Sequence, residues 1–322
     1  MRQFDKAAAS AARTRQDSLT KPPGSLGRLE ELAVFMAGWQ GRARPRIARA
    51  QALVFAGNHG ICARGVNPFP AEVTALMVRN FESGGAAINQ LCKVAGAQMR
   101  VIALDLDRPT ADFTAGPAMS AAEVDAAMQT GADAAVQAIT DGADILLLGE
   151  MGIGNSTIAA AQAAHLCGGP VADWVGAGTG AQGAVLEAKR TAVAEGLARH
   201  AGARSLRDAL AAYGGREQAA ICGAVLAARA RGVPVLLDGF ICTAAAGLVT
   251  LDDPAGLSHC LIGHESAERG HAALTRHLGK RPILSLDMRL GEGTGAAMAL
   301  MVLRGALACH DGMATFAEAG IG

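Results

Sequence analysis

A short apolar run that ends in glycine or aspartate and then gives way to a helix-like segment recurs along this chain, and it limits what the chain can fold into. Residues 52–56 lead into Gly57-Asn58-His59-Gly60, residues 101–104 into Asp105-Leu106-Asp107, and residues 145–148 into a glycine-rich turn. Residues 233–237 then lead into Asp238-Gly239-Phe240, Leu261-Ile262 into Gly263-His264, and residues 283–286 into Asp287-Met288-Arg289. Trp174-Val175, ahead of the glycine-rich loop 176–180, reads as one more such run. Strands alternating with helices predict an α/β fold with a doubly wound, mainly parallel, Rossmann-like sheet covered on both faces. Ligands of such sheets gather outside the carboxyl ends of the strands. Most of the unusual polar residues of this chain fall there.

The turn after residues 145–148 carries the most information. It holds Gly149, Gly152 and Gly154, and an alanine-rich helix starts near Thr157. Glycine lets backbone approach a ligand, and the first amides of a helix point outward without intrahelical partners. Together they form an anion cradle, worth roughly 0.3–1 kcal/mol for an exposed charge and up to ~2 when partly buried. The spacing Gly149-x4-Gly154 imitates a P-loop, but Asn155 stands where a triphosphate-gripping lysine belongs. A phosphate cradle is expected, not a nucleoside triphosphatase. A tight strand-to-helix turn that needs glycine for packing alone accounts for the same residues.

Composition narrows the function classes. Lys+Arg and Asp+Glu both total 29 and aromatics are 3%, which argues against nucleic-acid and acidic-membrane partners. Seven cysteines without a Cys-x-x-Cys pair read as small thiols in a reducing cytosol rather than disulfides or zinc ligands. Residues 1–20 lack a signal-peptide core, and the apolar stretch 296–308 is too short to span a bilayer and holds Arg304. A soluble, cytoplasmic protein is expected. With 322 residues the chain can bury a large core. Residues 46–304 are assigned to the α/β domain, and residues 1–45 plus 305–322 to a small helical domain built from both termini. The Arg42, Arg44, Arg46, Arg49 cluster reads as a solvated connector between them.

Other constellations carry chemistry on weaker grounds. Lys189 follows the loop holding Gly176 and Gly178, and either reaches back to a phosphate or stands exposed on its helix. The stretch 264–268 begins His-Glu like a zinc-protease helix but places Glu268 where the second histidine belongs, and no third ligand accompanies His264 and His271. His59 sits in a turn at a strand end, to touch substrate or to hold the loop. The amides of Gly293, Thr294 and Gly295 are placed to hold ribose or phosphate oxygens, or else serve helix–sheet packing. Glu318 is a single carboxylate in an apolar tail. If the tail folds over a cleft, desolvation makes Glu318 a stronger base. No serine or cysteine triad is found, and no metal or cofactor is called for.

Taken together the segments resemble one family, nicotinate-nucleotide:dimethylbenzimidazole phosphoribosyltransferase of cobalamin lower-ligand assembly. The matching stretches are Lys21-Pro22-Pro23-Gly24-Ser25-Leu26-Gly27, Phe55-Ala56-Gly57-Asn58-His59-Gly60, residues 72–81, Gly84-Gly85-Ala86-Ala87-Ile88-Asn89, residues 149–157, Leu237-Asp238-Gly239-Phe240, residues 288–295 and residues 313–320. The resemblance implies a homodimer and the conversion of nicotinate mononucleotide and dimethylbenzimidazole to α-ribazole 5′-phosphate and nicotinate. It implies Glu318 as the proton acceptor and Glu150 beside the leaving group and the attacking ring. It implies the phosphate site at Gly152, Gly154, Asn155, Ser156, Thr157 and Lys189, flanked by Gly176 and Gly178. Asp238, Gly239, Gly293 and Thr294 are implied as further substrate contacts, and the segment with Met77 and Phe81 as the apolar wall for the base. Asn58, where many relatives have aspartate, and Ala177, within a loop often written Val-Gly-Arg-Gly-Thr-Gly, depart from the pattern.

Overall fold

The structure is a computed structural model and describes residues 3–178 and 180–321. Thr179, within the 176–180 loop, lies outside the described residues. Two helices open the chain, α1 (Lys6–Ser18) and α2 (Arg28–Gln40). They are followed by β1 (Ala50–Ala56), α3 (Val73–Glu82), α4 (Ala87–Ala95), β2 (Ala97–Ala103), α5 (Ala121–Thr140) and β3 (Ile145–Met151). The middle of the chain forms α6 (Asn155–Cys167), α7 (Val171–Trp174), α8 (Gly183–Arg199), α9 (Leu206–Tyr213), α10 (Arg216–Arg231), β4 (Val235–Leu237) and α11 (Phe240–Gly247). Last come β5 (Cys260–Ile262), β6 (His264–Glu265), α12 (His271–His277), β7 (Leu284–Ser285) and α13 (Thr294–Gly312).

Strands β1 to β5 make a parallel sheet in the order β2-β1-β3-β4-β5, the doubly wound arrangement expected. Side chains alternate across it as the strand period requires. Leu53, Phe55, Leu146, Leu148, Val235 and Leu237 face one layer, packed against residues of α5, α9, α10 and α11. Ala52, Val54, Ile145, Leu147, Leu236 and Leu261 face the other, against α2, α4 and α13. Burial on both faces explains why the strands read as continuous apolar runs. Two expected strands differ. Residues 283–286 contribute β7, which pairs only with β6 in a separate two-stranded ribbon. Trp174-Val175 is no strand: Trp174 closes α7, with its indole Nε1 donating to the Gly168 carbonyl at 2.8 Å.

The many small residues let backbones meet. A Cβ on Gly131 of α5 would lie 1.8 Å from the Ala220 carbonyl oxygen of α10, and one on Gly223 of α10 would lie 1.9 Å from that of Met128.

The termini meet at the opposite end of the sheet from the strand carboxyl ends. Arg15 Nε donates to the His310 carbonyl at 2.8 Å, and the Phe316 amide to the Ser18 carbonyl at 2.9 Å. Arg44 pairs with Asp311, and Arg304 donates to the carbonyl of Ile47, just before β1. Helix α13 runs unbroken through the 304/305 boundary drawn from sequence. Its Leu300, Leu303 and Leu307 share a core with Leu32 and Met36 of α2 and with the sheet.

Candidate active site

Strand order reverses between β1 and β3, and the loops leaving these strands part to opposite sides, the usual place for a ligand in an open α/β sheet. A cleft open to solvent lies there. The turn after β3 forms one wall, with Glu150, Gly152, Gly154, Asn155 and Ser156. Asp238, Gly239 and Phe240 after β4 and His264 and Ser266 after β5 continue it, and Arg289, Leu290 and Gly291 close the side.

The cradle is tightly determined. Gly154, the N-cap of α6, has φ +90°, which a larger side chain adopts only under strain. A Cβ on Gly152 would lie 2.7 Å from both the Gly57 carbonyl oxygen and His59 Nε2. Behind it sits a fully buried pair, His59 Nε2 and Glu217 Oε1, 3.1 Å apart. Not every amide of the turn is free. Asn155 and Thr157 donate to the Gly152 and Gly154 carbonyls, and the Ile153 amide to Thr74 Oγ1. The Gly154 and Ser156 amides have no partner among the described residues.

A cation that the local motif lacks arrives from another helix. Lys189 of α8 is 1 % exposed and lines the cleft, its Nζ donating to Ser156 Oγ and to the Gly176 carbonyl, each at 3.0 Å. Burial lowers its pKa to about 8, against the pull of the Glu268 carboxylate. Arg289 donates to the Gly178 carbonyl at 2.9 Å.

The other end is acidic. Burial, reinforced by the charges of Asp238 and Glu217, pushes Glu150 up to about 8, and Asn155 Nδ2 donates to its carboxylate. Burial also raises Asp238 to about 7, although it accepts from the amides of Gly293 and Ala296, each at 3.0 Å. Glu292 rises to about 7 for the same reason, with Asp238 adding to it. Acids held this way are protonated over a range where ordinary carboxyls are not, so this end can donate hydrogen bonds as well as accept them.

Of the residues singled out from sequence, Glu150, Gly152, Gly154, Asn155, Ser156, Gly178, Lys189, Asp238 and Gly239 line one cleft. Others do not. Phe81 is buried in the core with Ile88 and Leu303, and Met77 packs against the same cluster, because Thr74, Val78 and Phe81 turn inward along one face of α3. The amides after Gly291 are not free for a ligand: Asp238 takes those of Gly293 and Ala296, and Thr294 donates to the Gly291 carbonyl. Thr157 is fully buried inside α6, and Gly176 faces a neighbouring depression. The tail does not fold over its own cleft. Helix α13 starts beside Asp238 and runs 19 residues, about 28 Å at the usual rise. Glu318 then lies beyond its far end, fully exposed, where the Thr315 amide donates to it at 2.7 Å and holds its pKa below the ordinary value. Sequence reading missed the lining contributed by Val66, Asn67 and Pro68, a loop without strand or helix periodicity. It weighed His264 only as a metal ligand.

The sequence model of a phosphoribosyltransferase family matches residues 1–321. The nicotinate-nucleotide–dimethylbenzimidazole phosphoribosyltransferase of Rhodobacter capsulatus is 60% identical over 317 residues, 98% of this chain and 93% of that protein. The enzyme of that name from Roseobacter denitrificans is 58% identical over 310 residues, 96% of this chain and 91% of its own. A crystal structure of the Thermus thermophilus protein of that name superimposes with a TM-score of 0.93 at 41% identity, covering 99% of each chain. The chain described here belongs to the nicotinate-nucleotide–dimethylbenzimidazole phosphoribosyltransferase family.

Proposed function

We propose that this enzyme transfers the 5-phosphoribosyl group of nicotinate mononucleotide to 5,6-dimethylbenzimidazole, releasing nicotinate and α-ribazole 5′-phosphate for cobalamin biosynthesis. One observation carries the reading. A single cleft has unpartnered amides, Ser156 and a buried lysine at one end and buried acids at the other. The first end suits a phosphate. The second suits the sugar and the positive charge at C1′ as the pyridinium leaves. The bond from C1′ to the pyridinium nitrogen breaks, and its electron pair stays with nicotinate. One benzimidazole nitrogen bonds C1′ from the opposite face, and the proton on the other ring nitrogen passes to a base. Holding both partners in line supplies most of the acceleration.

The base in this reading is Glu318, supplied by a second copy of the chain. Each chain carries Glu318 at the wrong end of α13 for its own cleft, flanked by the exposed apolar side chains of Phe316 and Ile321. The cleft rim offers exposed Leu290 and, beside the lining Pro68, exposed Phe69. We therefore read the working form as a homodimer, with the helical unit of residues 1–45 and 305–322 of each copy carrying its tail to the other's cleft. Its setting is the cytosol, which suits seven unpaired thiols. No helix among the described residues is long and apolar enough to cross a membrane. Moving Glu318 from water into the cleft, toward the buried acids Glu150 and Asp238, raises its pKa and makes it a stronger base.

The test is nicotinate release with and without 5,6-dimethylbenzimidazole. Release should require the base, and Glu318→Gln should cut turnover by roughly 10²–10⁴-fold while both reactants still bind. Equal release without the base would make the protein a nucleotide glycosidase.

A further inference from the structure

The chain end that carries Glu318 is not anchored by a core of its own. His310, in the last turn of α13, is fully buried, but residues 311–321 are all exposed or half-exposed. Burial therefore cannot fix where Glu318 points, and that task falls to hydrogen bonds.

Most of those bonds come from the end of α1. A helix stops with carbonyls that lack intrahelical partners, and a cation is favoured beside them. At the end of α13 the Met313 amide donates to the Cys309 carbonyl, and the next two carbonyls are met by Arg15, from the last turn of α1. Arg15 Nε donates to the His310 carbonyl at 2.8 Å, and one Nη donates to those of Asp311 and Met313 at 3.1 and 3.0 Å. A planar guanidinium fork suits several acceptors held in one arrangement, which an ammonium does not. The adjacent Gln16 meets the His310 ring, its Nε2 2.8 Å from Nδ1, so α1 grips both the backbone and the ring of this turn. The residues after α1 then pair with the tail. The Thr20 amide donates to the Ala314 carbonyl at 3.0 Å, and the Phe316 amide to the Ser18 carbonyl at 2.9 Å.

Arg15 acts where the chain changes direction. Met313 has φ −69° and ψ 139°, extended backbone directly after the helix, and Arg15 holds carbonyls on both sides of this bend. Beyond it the tail closes on itself, the Thr315 amide donating to the Glu318 carboxylate and the Glu318 amide to Thr315 Oγ1. A small rotation at Met313 is therefore carried as a unit to the carboxylate. The positive charge of Arg15 also reaches Glu318, adding to the Thr315 hydrogen bonds that hold its pKa down. Arg44 pairs with the Asp311 carboxylate and donates to the Asp311 carbonyl, short of the bend.

We propose that Arg15 is a positioning residue for the transfer: by clamping carbonyls on both sides of the bend at Met313, it sets the reach of Glu318 into the cleft it serves. This rests on the reading of Glu318 as the base. Arg15 acts through Glu318 and touches neither reactant.

Steady-state kinetics of a double-mutant cycle tests this. Arg15→Ala should lower kcat by roughly 10- to 100-fold and leave KM for nicotinate mononucleotide unchanged, because the base is misplaced while the cleft is intact. In a Glu318→Gln background the same change should cost nothing further. Dilute guanidinium chloride should restore part of the turnover of Arg15→Ala. Arg15→Lys keeps the charge but not the fork. It should lose less, with the same dependence on Glu318, and it decides the matter if the alanine variant melts early. Full turnover in both Arg15 variants, or an equal loss with and without Glu318, overturns the assignment. A Glu318→Gln enzyme with undiminished turnover overturns the reading of Glu318 itself, a different result.

Discussion

A lysine shut away from water at the head of a cleft holds its proton less firmly than one at the surface, and Lys189 does so with a pKa of about 8. The free enzyme therefore loses its phosphate-facing charge as pH rises through that value. For the nucleotide, kcat/KM should fall above about pH 8, approaching tenfold per pH unit, and Lys189→Arg should remove that limb because its guanidinium stays charged. An unchanged limb in the arginine variant would place the titration elsewhere. Glu150 works in the opposite sense. Its folded pKa of about 8 stands above its ordinary 4.5, so between those values the folded chain holds a proton that the unfolded chain has released. The resulting stability is full below about pH 4.5 and is lost as pH rises through about 8. Glu150→Gln should flatten this dependence, its Tm relative to wild type rising by roughly 4–8 °C between pH 5 and 9. Both residues were legible in the sequence as candidates. What was not legible was their burial, since Lys189 meets Ser156 only through the packing of α8 on α6. The role offered by the amides of Gly293 to Gly295 also misled, because Asp238 arrives from another strand to occupy them.

Among the elements, α5 and α10 touch backbone to backbone at Gly131 and Gly223. A methyl at either position meets a carbonyl oxygen of the facing helix, which cannot yield as a side chain would. Gly223→Ala should cost about 1–3 kcal/mol in urea unfolding. The nucleotide site should feel it too, because α10 carries Gln218, which donates to the Asn155 carbonyl at 3.3 Å behind the cradle. A variant as stable as wild type would mean that the helices slide apart without loss. At this scale the sequence was most readable. Five apolar runs bounded by glycine or aspartate became the five strands of the sheet, because residues buried on both faces must be apolar throughout. Trp174-Val175 shows the limit of that signal: a short apolar pair before glycines fits a helix end as well as a strand, and the Val175 amide, donating back to the Val171 carbonyl, makes it a helix end.

For the whole molecule, the separation of Glu318 from its own cleft allows a decisive mixing experiment. Glu318→Gln and Lys189→Met should each be inactive alone. If the partner subunit's Glu318 serves each cleft, a hybrid dimer has one site with both residues intact. Randomly mixed chains should then recover about a quarter of wild-type turnover, since half the two-fold dimers are hybrid and each has one working site of two. No recovery would return the acid to its own chain by some rearrangement of the tail. Sequence alone could place Glu318 in a functional tail but could not say over which cleft it hangs, because that depends on the length and direction of α13. The same helix sets how damage spreads. If each tail serves the neighbouring copy, a chain with a ruined tail keeps a serviceable cleft and silences its partner's, so a defect at the far end of α13 falls on the other copy while the total loss in a mixed population stays in proportion to the damaged chains.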